Sequence, residues 1–301
     1  LLGTVAGAGE VIAEGVGIYR FQGAYEIATA DLDTAEAAGW YAEAETFAEH
    51  MAEFEEPRFP TEEWESEVQV LAGIEIRTYD VTDPGTGILL ESGDLTLGTD
   101  WDLSAGGTAP TGWRFNESPG ILTLRAEGDL VISGDLVDHP TAPADLQEGM
   151  TSGSWAYNLV AGSVVDSPDT LAVRVLDDGN PRGAFTIDDG VLVYTESGAL
   201  RFASAGKTLI GRGRDADYLP ETMSYTLATY SGDVKGVVGR DLLLDGGVVQ
   251  SAEGDIDLDI GADLALKTPN NDTLGAIRTI GRFPATPEGW PAGYSLARDN
   301  S

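Results

Sequence analysis

The residues best spaced for chemistry lie in Ser251 to Leu266, where Asp255, Asp257 and Asp259 alternate with Ile256, Leu258 and Ile260. On a strand, period two sends the three carboxylates to one face and the apolar set to the other. Such a row, with Asp263 beyond it, offers hard oxygens to calcium, which takes about six to eight of them. Calcium would therefore need carbonyls or further acids from a neighbouring segment. The competing expectation, and the weightier one, is a solvated outer face on a very acidic chain. No Gly-Gly-x-Gly-x-Asp series of the calcium-binding nonapeptide kind occurs.

Other chemistry is thinner. A glycosidase or lyase needs two carboxylates a few ångströms apart beside a groove. Asp177 with Asp178, or Asp188 with Asp189, fit that requirement no better than chance in a chain with 51 acids. His50 and His139 are the only histidines, and neither has the neighbours of a Ser/His/Asp triad or of a metal site. Trp101, Trp113, Trp155 and Trp290 could stack on a sugar or a partner, although core packing is the commoner use of such rings. Trp290, between Gly289 and Pro291, is the most loop-like of the four. Gly211-Arg212-Gly213-Arg214 is too short for a nucleic-acid patch and sits among acids. No catalytic residue and no resident cofactor are expected, calcium apart.

Composition narrows the partners. The chain has 301 residues, 51 acidic and 17 basic, for a formal net charge of −34. That charge repels nucleic acid phosphates and anionic lipid headgroups. Neither partner is expected, nor is membrane insertion, because no apolar run approaches the roughly 20 residues of a span. With 42% hydrophobic residues and 39 Gly, the chain is too apolar for a disordered acidic tail, and it suits an architecture of many tight turns. There is no Cys, which does not place the compartment. The opening at Leu1, without Met or a signal layout, gives the expectation of an interior or processed piece of a longer polypeptide.

The elements that must position these residues are strands. Residues 1–30 read as short β rungs, with Val11, Ile12, Val16, Ile18, Tyr19 and Phe21 offered as inward positions. In 31–66 the period changes: Trp40, Ala44, Phe47, Met51 and Phe54 make one helical stripe, which Asp33 or Thr34 can cap and Pro57 ends. The stretch is dense in acids, so like charges on neighbouring turns oppose an isolated helix. It is expected as an acidic helical insertion docked on the β structure through Trp40, Phe47 and Phe54. From 67 to 301 the β signal dominates, with a surface loop near 138–154.

A phrase recurs along the chain: Gly93-Asp94-Leu95-Thr96-Leu97, Gly128-Asp129-Leu130-Val131-Ile132, Gly232-Asp233-Val234, Gly254-Asp255-Ile256 and, more loosely, Gly198-Ala199-Leu200. The glycines stand at gaps of 35, 70, 34 and 22 residues. A gap of roughly 20 to 25 fits one coil of a solenoid, 34 or 35 a coil with a loop, and 70 about three coils. Gly can supply a positive φ at each corner. Leu95, Leu97, Leu130, Ile132, Ile256, Leu258 and Ile260 are then rungs of one inward ladder.

The passages Leu71-Ala72-Gly73-Ile74-Glu75-Ile76-Arg77, Gly93 to Leu97 with Asp100-Trp101-Asp102-Leu103, Trp113-Arg114-Phe115, Pro119 to Ala126, Ser154 to Gly162 and Gly275 to Thr279 resemble the large filamentous haemagglutinin-like exoproteins of Gram-negative bacteria. The resemblance covers about Val70 to Arg282. It implies a right-handed parallel β-helix, exported through an outer-membrane transporter and lying at the outer cell surface or outside the cell. The family's amino-terminal Asn-Pro-Asn-Gly type turn does not occur here, and Pro269-Asn270-Asn271 is not that motif. The expected function is a structural or adhesive segment, without enzymatic activity, that presents loops and an acidic surface. Its partners would be the rest of the same long chain and a cell-surface or matrix glycan or protein. The alternatives are a filament or sheath subunit contacting identical chains, and a carbohydrate-active β-helix enzyme.

Overall fold

A computed structural model describes residues 11–33, 46, 68–104, 119–138, 153–176, 182–214, 225–267 and 275–279. The architecture is mainly β: parallel sheets of stacked strands, an arrangement compatible with a β-helix. The chain visits three sheets in rotation. It enters with β1 (Val11–Gln22) and β2 (Tyr25–Ile27), followed by a short helix, α1 (Thr29–Asp33). The second circuit is β3 (Val68–Tyr79), an antiparallel hairpin of β4 (Val81–Thr82) and β5 (Leu89–Glu91), then β6 (Leu95–Leu97) and β7 (Trp101–Asp102). Next come β8 (Ile121–Ala126), β9 (Leu130–Ile132) and β10 (Leu136–Asp138), then β11 (Ala156–Ala161), β12 (Phe185–Ile187) and β13 (Val193–Thr195). The circuits continue with β14 (Leu200–Ser204), β15 (Thr208–Ile210) and β16 (Leu227–Thr229), then β17 (Val234–Val238), β18 (Leu242–Asp245) and β19 (Val248–Ser251). The last is β20 (Ile256–Ile260), β21 (Leu264–Lys267) and β22 (Ala276–Thr279). The first sheet runs β1-β3-β8-β11-β14-β17-β20, the second β2-β6-β9-β12-β15-β18-β21 and the third β7-β10-β13-β16-β19-β22.

The strands form because β-prone residues alternate with polar ones at period two, and each strand can bury its apolar face only against the other two sheets. Parallel register then stacks like on like. In the first sheet Ile76, Leu124, Leu159, Phe202, Gly236 and Leu258 share one inward row. Gly236 leaves room for its neighbours, since a Cβ there would collide with the Phe202 ring and lie 2.7 Å from Leu258 Cδ2. Leu95, Leu97, Leu130 and Ile132 are fully buried in the main core between the sheets, beside a smaller cluster of Val137, Leu192, Tyr194, Tyr225 and Ala228. Ile256, Leu258 and Ile260 pack against that core half-buried. Each full burial of such a side chain is worth about 1.5–3 kcal/mol.

Several expectations change. Among the described side chains of β1, Tyr19 and Phe21 pack on the core; Ile18 shares its row with Glu75 on the outer face, and Val16 is exposed, because period two permits only one of the two sets inside. The side chains of Val11 and Ile12 lie outside those described. Helix α1 begins at Thr29, ahead of the expected caps; the Asp31 carboxylate accepts the Ala28 N–H at 2.8 Å. Trp40, Ala44, Phe47, Met51, Phe54 and the cap candidate Thr34 lie outside the described residues. Asp138, expected in the 138–154 loop, ends β10 with its side chain buried, while 139–152 lie outside the described residues.

The repeated phrase is also not one corner. Gly93 and Gly128 precede strands of the second sheet, whereas Gly198, Gly232 and Gly254 precede strands of the first. The gap from 128 to 198 therefore holds fewer than two circuits, not three, because the crossing from Ala161 to Phe185 carries an excursion. None of these five glycines has a positive φ. They are needed for close approach. A Cβ on Gly93 would lie 2.6 Å from the Tyr79 carbonyl carbon, and on Gly198, Gly232 and Gly254 it would run into the carbonyl oxygens of Trp155, Gly198 and Gly232.

Candidate functional site at the polar corners

The aspartates of the repeated phrase are joints between circuits. The Asp94 carboxylate accepts the Asp129 N–H at 2.8 Å, and Asp129 in turn accepts the Ala184 N–H at 2.8 Å. At the corner leading into the third sheet, Asp100 accepts the Asp135 N–H and Asp135 the Leu192 N–H, both at 2.9 Å. Asp233 accepts the Asp255 N–H at 2.9 Å, one circuit and 22 residues on. A backbone N–H at a corner lies outside the strand ladder and needs an acceptor, which a short charged side chain supplies well. Stacking acids this way has a cost. Burial raises the Asp129 pKa above the carboxylate norm, with nearby Asp94 adding to the shift and the Ala184 N–H opposing it. Burial likewise raises Asp135, against the Leu192 N–H and Arg214.

A second set of joints lies at the inner edge of the third sheet, where Asp138, Thr195, Thr229 and Ser251 form one buried row. Each hydroxyl donates to a carbonyl of the preceding circuit and accepts the N–H three residues on. Thr195 donates to Trp155 O at 2.7 Å and accepts from Gly198; Ser251 donates to Gly232 O at 2.8 Å and accepts from Gly254. Asp138 accepts the Trp155 N–H at 2.6 Å and so ties together the two sides of the 139–154 segment.

The richest ionic cluster sits where the first sheet turns into the second. Asp80 takes Arg174 at 3.1 Å, Arg182 and the Gly93 N–H at 2.8 Å, while Arg174 also reaches Glu127 at 2.7 Å. Burial pushes the Asp80 carboxyl up, but its bonds from Arg182, Gly93 and Arg174 outweigh that and hold it below the carboxylate norm. Beside it, Arg125 of β8 projects from the outer face of the first sheet and is 0% exposed. It contacts Glu75 at 3.0 Å, Ser163 Oγ at 3.0 Å, and the carbonyls of Val164 at 2.7 Å and Ser167 at 3.3 Å. Glu75 also holds Arg77 at 2.7 Å. The guanidinium thus fastens the excursion after β11 onto the sheet. Nothing in Ile121 to Ala126 except a lone Arg in an apolar strand signals this role, and Asp80, Arg174 and Arg182 carry no local signal at all.

The residues proposed for chemistry are dispersed. Asp255, Asp257 and Asp259 are exposed, and among the described residues no group of three or more His, Asp or Glu is placed to hold a metal. Trp101 and Trp155 are 1% and 0% exposed and belong to the core, so neither offers a face to a glycan. Asp188 and Asp189 engage different neighbours, Ser133 Oγ at 2.6 Å and the Arg212 N–H at 2.8 Å. Trp113, Trp290, His50, His139, Asp177 and Asp178 lie outside the described residues. What the corners do chemically is hold backbone and charge in place. Comparison with family models, with curated proteins and with solved structures finds no match.

Proposed function

We propose that the chain is a structural or adhesive segment of a large secreted or cell-surface protein, a right-handed parallel β-helix that holds loops and an acidic surface away from the cell. The observation that carries this is the rotation through three parallel sheets around a shared main core, with an excursion fastened on the outside by Arg125. Right-handedness follows from the strong preference of parallel crossover connections for that hand. The resemblance of residues 70–282 to filamentous haemagglutinin-like exoproteins points the same way. The mechanism is mechanical: each circuit satisfies the backbone of the next, and the excursions are free to vary in sequence and length.

The test is attachment of the purified, folded chain to cells, matrix proteins and glycans on a surface. Saturable binding to at least one of these is expected, weakened by Val164→Glu with Val175→Glu, two exposed positions on the excursion. Absence of saturable binding on every surface would remove the adhesive reading and leave a purely structural one.

A further inference from the structure

Among the described residues, the circuit of β20, β21 and β22 has one neighbouring circuit, as does the first circuit at the opposite end. Strands β20 and β21 end their sheets, and among the described residues no strand pairs with their outer edges. The side chains there are those of a ladder that expects another rung. Leu264 and Leu266 are 47% and 44% exposed, although the residues stacked on them in the previous circuit, Leu242 and Leu244, are both 0% exposed. Ile256, Leu258 and Ile260 are half-buried. On the outer face of β20, Asp257 and Asp259 are exposed, and the register sets Lys235 of β17 directly opposite Asp257. Opposite charges facing each other across a ladder favour pairing, and like charges oppose it.

We propose that this edge takes, in parallel register, an extended polypeptide segment whose residues alternate apolar and basic. Its apolar set continues the rows of Ile256, Leu258 and Ile260, and its basic set faces Asp257 and Asp259, as Lys235 already faces Asp257 from the other side. An unpaired edge supplies the backbone hydrogen bonds for such strand addition, and alternate side chains supply the choice of partner. A second copy of this chain fits less well. Edge against edge, it would set Asp257 and Asp259 against the same acids. Head to tail, β20 would meet β1, whose outer set of Val16, Ile18 and Arg20 holds one basic residue against the two acids, and β21 would meet β2, whose Ile27 is 0% exposed and thus already covered.

The probe is a fluorescein-labelled nine-residue peptide alternating Val and Lys, with a Val/Glu counterpart and a Val/Lys peptide of the same composition whose lysines are grouped in one block. Fluorescence anisotropy is expected to show the alternating Val/Lys peptide binding at least about tenfold more tightly than either control. Hydrogen exchange of the 256–260 amides should slow on binding. Asp257→Asn with Asp259→Asn, at two exposed positions, should bring the alternating and Val/Glu peptides to within about twofold of each other. Equal binding of the block and alternating peptides would overturn the proposal, since it would mean attraction to net charge alone. Unchanged exchange at 256–260 would overturn it as well, as would concentration-dependent dimers that protect the same amides.

Discussion

The circuit from β11 to β14 and the circuit from β17 to β20 do the same structural job with different means. In the first, Tyr157 stacks on Leu200 after a long excursion; in the second, Val234 stacks on Ile256 only 22 residues after the preceding joint. The short circuit is held by its ladder, by Asp233 at the corner and by Ser251 beneath it. The long one adds a buried guanidinium and an ion-pair cluster, because an excursion must be fastened to something outside the core. The ladder is therefore the common element, and charge is spent where the chain leaves it.

The sharpest way to break the comparison is Arg125→Ala. It leaves Glu75 with Arg77 alone, strips the Ser167 carbonyl of its donor and leaves the Val164 carbonyl only the Ser167 N–H, at an expected cost of about 3 kcal/mol. Hydrogen exchange should quicken across 163–172 and stay unchanged across 256–260; equal acceleration in both would mean the excursion is not separately fastened. Next, Leu124→Ala should cost about 2–5 kcal/mol in urea unfolding, as a cavity in a closed core does. Leu258→Ala, in the same row but half-buried, should cost less than half of that, and equal costs would show that the last circuit is closed. Thr229→Val removes a donor to the Gly198 carbonyl and an acceptor for Gly232, for about 1 kcal/mol.

The smallest effect is pH-dependent. Asp129 and Asp135 have folded pKa values raised by burial above the ordinary 3.8, so the folded state binds more protons than the unfolded one, and their contribution worsens as pH rises through the raised values. Asp80, lowered on balance, stabilises above 3.8 and loses that contribution as pH falls through its depressed folded value. Lowering the pH through the raised values of Asp129 and Asp135 towards 3.8 should therefore relieve their penalty and raise the melting temperature, before the Asp80 contribution is lost at still lower pH. Asp129→Asn keeps the oxygen that accepts the Ala184 N–H and removes the charge, so it should match or exceed the wild type at pH 7, while Asp129→Ala should fall below it. The reverse order would show that the Asp129 charge, rather than its hydrogen bond, holds the corner.

The rungs were legible in the sequence because period-two alternation and the Gly-Asp phrase are local signals. Leu95, Leu130 and Ile256 need no distant residue to declare their side of a strand. Which corner a phrase marks was not legible, since Gly93 and Gly232 look alike and open onto different sheets. Nor was the work of the glycines and aspartates. Both answer to the circuit before or behind, at separations such as 35 residues for Asp94 and Asp129.

By itself, the sequence determined that this chain would be a repeated, acidic, strand-rich structure with alternating inward Leu, Ile and Val. Only the tertiary structure decided that Trp101 and Trp155 are core and that Arg125 is a buried fastener. It also decided that the Asp255, Asp257 and Asp259 row lies on an edge. Alternation sets which face a side chain takes, but burial and partnership depend on which distant strand stacks beside it, and the excursions between circuits displace that register by amounts no local pattern records.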